Sequence, residues 1–97
     1  MYTYKVKASI NHDANNFDAV NHKLISVIKN SGLTDIGNCE YGTDNFSKGM
    51  SVILYLGESD WFLKNAQELK WFNGEDYDQI SDYNVEDSLS FFLAKRG

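Results

Sequence analysis

The sequence has no proline, one cysteine and one arginine, and no apolar run approaches the ~18 residues of a membrane-spanning helix. Each lack excludes something. Without proline, no cis-prolyl bond can slow folding, and turns must be built from Gly, Asn, Asp and Ser. The lone Cys39 permits no intrachain disulfide and no four-cysteine zinc site, and it suits a reducing compartment, so a cytoplasmic location is expected. With Arg96 as the sole guanidinium, bidentate phosphate clamps are missing. The N-terminus alternates polar and apolar residues, whereas a signal peptide needs a continuous apolar stretch. No membrane association is expected. Internal repeats, low-complexity tracts and a glycine-rich phosphate loop are also absent from the sequence.

What is present suffices for a folded core. The 97 residues are 42% hydrophobic and 14% aromatic, too rich for disorder and short enough for a single globular domain over residues 1–97. The charge is uneven. Residues 1–57 carry five lysines and five acids, whereas residues 58–97 carry nine acids and four bases. The whole formal charge of -5 therefore lies in the second part. Residues 71–94 hold six acids (Glu75, Asp76, Asp78, Asp82, Glu86, Asp87) and no base. An acidic chain cannot neutralise duplex phosphates, so general DNA binding is not expected.

Hydrophobic period gives the elements. Tyr2, Tyr4, Val6, Ala8 and Ile10 alternate with Thr3, Lys5, Lys7 and Ser9, which predicts a half-buried strand. Phe17, Val20, Leu24, Val27 and Ile28 form a helical stripe within residues 13–31. Asp13 or Asn16 is expected to cap this helix, with Gly32 as its left-handed C-terminal stop and Leu33 as the following apolar contact. Residues 36–42 read as a weaker strand, 42–49 as a hairpin loop, and Met50–Leu56 as a central strand covered on both faces. Ser59 opens a predicted helix reaching Phe72. Residues 75–83 are an acidic linker or a short strand. A last helix opens at Asn84, with Asp87 as its capping-box acid, and turns Val85, Leu89, Phe92 and Leu93 inward. The expected fold is α+β, a two-layer sandwich of order β-α-β-β-α-(β)-α. Its three- or four-stranded antiparallel or mixed sheet has helices on one face.

Several chemistries fit parts of this pattern. Cys39 with His12 or His22 would make a nucleophile and base, yet no cysteine–histidine family spacing surrounds it, and a strand cysteine usually packs as a small apolar group. Asp76, Asp78, Asp82 and Asp87 occupy positions 1, 3, 7 and 12 of a calcium loop. Ile80 stands where a ligand belongs, however, and Ser81 where glycine is needed. No metal, cofactor or enzymatic activity is expected. Lys48-Gly-Met-Ser-Val-Ile-Leu-Tyr55 resembles the central-strand motif of the RRM family in its lysine, glycine and terminal aromatic. That resemblance implies RNA or nucleotide binding on an open sheet face with Lys5 and Lys7. Met50 and Val52 stand where the family stacks bases on aromatics.

The base-free window remains. A merely solvated surface mixes both signs, and here aromatics lie among the acids. The sequence therefore predicts a partner-binding surface of Asp76, Tyr77, Asp78, Asp82, Tyr83, Glu86 and Asp87, with the carboxylates steering a basic protein and the tyrosines anchoring it. In general character this resembles immunity proteins that neutralise nuclease toxins and phage inhibitors of nucleic-acid-handling defences. An exposed first-strand edge, or Ile53 or Tyr55 on an open second sheet face, would also allow a homodimer.

Overall fold

The computed structural model describes residues 2–74 and 83–96. The chain is α+β. Among the described residues its elements are β1 (Tyr4–Ile10), α1 (Phe17–Asn30), β2 (Thr34–Gly37), β3 (Glu40–Thr43), α2 (Phe46–Gly57), α3 (Asp60–Leu63), β4 (Ala66–Asn73), β5 (Asn84–Asp87) and α4 (Ser88–Arg96). The strands form one antiparallel sheet in the order β2-β3-β1-β4-β5.

β1 is the middle strand, not an edge as a strand-paired dimer would need. Its alternation is the one the sequence predicts: Tyr4, Val6, Ala8 and Ile10 are buried and the residues between them half-buried. Val6 lies between Tyr41 of β3 and Trp71 of β4. Those three side chains share the covered face, on which Leu24 and Ile28 of α1, Val52, Ile53 and Leu56 of α2 and Phe92 of α4 complete the core. α1 starts on the first residue of its stripe, later than the expected window of residues 13–31. Asn16, in a left-handed conformation with no side-chain cap bond, precedes Phe17. Its other end stops as expected, with Gly32 at φ +94° and Leu33 buried.

Among the described residues the sheet has five strands, not the expected three or four, and four expected segments are corrected. Residues 36–42 are not one strand. The chain reverses at Asn38 and Cys39, both with positive φ (56° and 62°), between β2 and β3. This sign pattern is that of a type I′ hairpin turn. Cys39 is consequently exposed at a turn and not packed in a strand.

Residues 42–49 are not a hairpin loop and Met50–Leu56 is not a strand. β3 ends at Thr43, and residues 46–57 are helix α2, started by Asn45, whose side chain accepts a hydrogen bond from the Lys48 N–H at 3.1 Å. The RRM-like octapeptide thus lies on a helix. The buried positions of α2 are Gly49, Val52, Ile53, Leu56 and Gly57, the i, i+3, i+4, i+7, i+8 pattern of a helix face. Two members of that stripe are glycines, which carry no hydrophobic signal.

The helix predicted from Ser59 to Phe72 is one turn, α3, followed by β4. The register slips by one residue between Ser9 and Ile10 where they pair with Glu68 and Ala66. That bulge puts Ala66 and Leu69 three apart on the same face, which imitates helical spacing.

The α2 glycines set how closely the layers approach. A Cβ on Gly49 would lie 2.7 Å from the Trp71 ring, and one on Gly57 would overlap the Phe92 ring. Both rings are buried. Gly49→Ala should therefore lower stability by about 1–2 kcal/mol in urea unfolding, overpacking outweighing the helix-propensity gain of alanine. Ser51→Ala, on the exposed side of α2, should be neutral or slightly stabilising. Equal stabilities for the two variants would contradict the Gly49–Trp71 contact.

At the hairpin, Cys39→Gly should raise stability by about 0.5–1 kcal/mol, because glycine relieves the left-handed strain and only part of the gain is lost to backbone entropy. Cys39→Ala should leave it nearly unchanged. A less stable Cys39→Gly variant would rule the turn out.

Candidate partner-binding groove

The predicted acidic surface divides on folding. Asp76, Tyr77, Asp78 and Asp82 lie outside the described residues, as do three acids of the calcium pattern. Tyr83, Glu86 and Asp87 are placed, and they do not share one face. Glu86 pairs across the sheet with Trp71, and Asp87 pairs with Lys70. Neighbouring strand residues point to opposite sides, so Glu86 belongs with the helical layer and Asp87 starts on the open face.

Asp87, and not Asn84, caps the last helix. Its Oδ1 accepts the Ser90 N–H at 3.1 Å and its Oδ2 accepts the Ser90 hydroxyl at 2.7 Å. Those bonds, first the hydroxyl and then the amide, together with the Lys70 charge, hold its carboxyl below the usual aspartate range. Among the described residues Asn84–Asp87 form an exposed edge strand. Val85 and Leu93, expected inside, are 51% and 45% exposed. Phe92 is buried as predicted.

Tyr83 is turned to its own sheet. Its hydroxyl donates to the Tyr2 carbonyl at 2.6 Å, and its ring meets Phe72 edge to face. Lys5 Nζ lies 4.5 Å from the centre of that ring and 3.1 Å from Glu40 Oε1. The other open-face lysines are paired too: Lys7 and Lys70 reach Glu68 at 3.9 and 3.4 Å. With Asp87 opposite Lys70, three carboxylates face these three lysines, and the open face is electrostatically matched.

The opposite side has a groove of about 430 Å³ between α2, β5 and α4. Trp71 forms the floor, Met50, Ile53 and Leu54 one wall, and Phe91 and Phe92 the other. Glu86, Asp87 and Ser88 complete the lining, which contains no lysine, arginine or histidine among the described residues. Leu54 and Phe91 are 48% and 58% exposed. Trp71 stacks on Tyr4 with centroids 5.5 Å apart and meets Phe46 edge to face. These contacts fix the floor. Sequence reasoning missed the groove because it placed Met50–Leu56 in a strand. The signal was the helical stripe with Gly49 and Gly57 at the buried positions.

A second hollow, about 370 Å³, brings Cys39 and His12 together with Lys7, Glu40 and Glu68. No hydrogen bond joins the thiol and the imidazole among the described residues, and His22 lies elsewhere, exposed on α1. No group of three or more metal-ligating side chains is found among the described residues, and no helix there is long and apolar enough to cross a membrane.

Known proteins add no family. At the level that marks kinship, no family model, curated protein or solved structure matches the chain.

The cap gives a test with a defined pH sign. Because the Asp87 carboxyl is held low in the fold, its stabilising effect is present above the unfolded aspartate range and is lost as pH falls through the folded value. Asp87→Ala should cost about 1 kcal/mol at neutral pH. Asp87→Asn should keep most of the cap and reduce the loss of stability on acidification below about pH 4. Thermal melts of the three proteins at neutral and acid pH compare these directly. An Asp87→Ala protein with unchanged stability would contradict the cap.

Proposed function

We propose that this chain is a small acidic inhibitor that binds another protein at a basic site. In kind it would be an immunity protein set against a nuclease toxin, or a phage-type inhibitor of a nucleic-acid-handling defence system. The observation that carries the reading is the coincidence of the base-free window, residues 71–94, with a strand and helix that wall an apolar groove. Carboxylates there take the place that phosphates would occupy against the partner's lysines and arginines, and the groove supplies the desolvated area that charge alone lacks. Asp76, Asp78, Asp82, Glu86 and Asp87 are the proposed charges. Tyr77 remains a proposed anchor. Tyr83, whose hydroxyl is already bonded within the sheet, serves by holding the β5 side of the surface in place.

The open face supports the alternative, RNA or nucleotide binding, less well. Its lysines each lie within reach of a carboxylate, and a phosphate would have to displace those partners. The octapeptide that resembled an RNA-binding strand is helical.

The test is co-purification of the tagged protein with its partner, then titration across salt. Affinity should fall by at least about tenfold between roughly 50 and 500 mM salt, as expected of charge-steered association. Asp78→Lys with Asp82→Lys should abolish most of the binding without changing the melting temperature. Tight binding that survives the double reversal and ignores salt would defeat the proposal.

A further inference from the structure

We infer that the groove over Trp71 receives a basic amphipathic helix of the partner, its apolar side chains seated between Leu54 and Phe91 and its lysines or arginines turned toward β5. The inference rests on the reading of the chain as an acidic protein for a basic partner, and it names the part of the partner that binds.

Three observations point to a helix as the occupant. Phe46, Met50 and Leu54 are spaced four apart along α2, a row that presents one ridge to a neighbour. Phe46 is 46% exposed and Leu54 48% exposed, so the ridge is not consumed by the core. Across the groove Phe91 of α4 is 58% exposed. A third helix laid between α2 and α4 would interdigitate with both ridges, the mode in which amphipathic helices fill apolar grooves with residues at i, i+3, i+4 and i+7. The groove volume of about 430 Å³ is of the order of two to three large side chains, given the close packing of protein interiors.

Charge chooses the chemistry of that helix. Glu86 and Asp87 stand in the lining, which holds no base among the described residues; Lys70 faces Asp87 from the other side of the sheet, so Glu86 is the uncompensated charge. Glu86 makes no ion pair among the described residues, whereas Asp87 stays ionised through its bonds to Ser90. The α4 wall ends differently: Lys95 Nζ lies 5.5 Å from the centre of the Phe91 ring. The field across the groove is therefore directional, negative at β5 and positive at the end of α4. A bound helix is oriented by it, with its basic edge over Glu86 and away from Lys95. A second copy of this chain is disfavoured as the occupant, since two rims carrying Glu86 and Asp87 would face each other at a net charge of -5 each.

The probe is an acetylated, amidated leucine–lysine peptide of roughly 14 residues, about four helical turns, with leucines at i, i+3, i+4 and i+7. A twin with glutamate for every lysine is the comparison. Trp61→Phe leaves Trp71 as the sole tryptophan, so its emission reports occupancy of the groove floor. The lysine peptide should bind saturably with a Kd on the order of 10 μM, at least about tenfold tighter than the glutamate twin, and more weakly as salt rises. Leu54→Ser should weaken it about tenfold or more at all salt concentrations, with the circular dichroism spectrum unchanged. Glu86→Gln should weaken it less and flatten the salt dependence.

Equal binding of the two peptides, or none of either, would overturn the inference together with the acidic-protein reading beneath it. Salt-sensitive binding of the lysine peptide that ignores Leu54→Ser would overturn the groove alone and leave that reading standing. A dimer in sedimentation that Leu54→Ser converts to monomer would show that a second copy fills the groove, and would also overturn the inference.

Discussion

The position of the Trp71 ring is the constraint on which the rest of the structure depends. It projects from β4 into the helical layer, stacked on Tyr4 of β1, edge to face with Phe46, and directly beneath Gly49 of α2. A side chain at position 49 would push α2 away from the sheet. Because it is glycine, the helix settles against the indole, and the buried stripe from Gly49 to Gly57 lines up with Phe92 of α4. One large aromatic facing one missing side chain thus sets the spacing between α2 and the sheet and, through Phe92, the seat of α4. The groove is what remains between α2 and α4 above that ring.

Charge follows the two sides of the sheet. On the open side Lys5, Lys7 and Lys70 are each near a carboxylate, and Lys5 is further held over the rings of Phe72 and Tyr83. Such partly exposed pairs add little stability, but they leave that side locally neutral. On the covered side Glu86 looks into a groove whose lining holds no cationic residue among the described residues. Local charge, not the total, therefore distinguishes the two surfaces. Burial acts on a different acid: desolvation, then the nearby Asp35 carboxylate, raises the Tyr41 phenol to about 12. Its neutral form is the one the core holds, and its stabilising effect is complete below about pH 10 and is lost between there and about pH 12.

Much of the fold was legible in the sequence wherever apolar side chains carried the period. The alternation of Tyr4 to Ile10 and the stripe of Leu24 and Ile28 reappear as buried faces, and Gly32 stops α1 as its position requires. Legibility failed where the period was carried by something other than hydrophobicity. Gly49 and Gly57 are core positions without apolar atoms, so Met50–Leu56 resembled a continuous buried strand. The bulge opposite Ser9 shifted Ala66 relative to Leu69, so β4 resembled a helix. Asp87 reads as a capping acid in the sequence, but of a helix starting three residues early, because a four-residue strand has no pattern of its own. For the candidate site, composition revealed the acids. The apolar half, Leu54 and Phe91, could not be read, since their exposure results from how α2 and α4 pack.

The most direct measurement is an amide-correlation spectrum of the isotope-labelled protein during titration with a basic amphipathic peptide. If the groove is the binding surface, the shifts concentrate at Met50, Leu54, Glu86, Phe91 and the Trp71 indole N–H, while Lys5, Lys7 and Phe72 stay still. Shifts confined to the open face, at Lys5, Lys7, Phe72 and Val85, would contradict it.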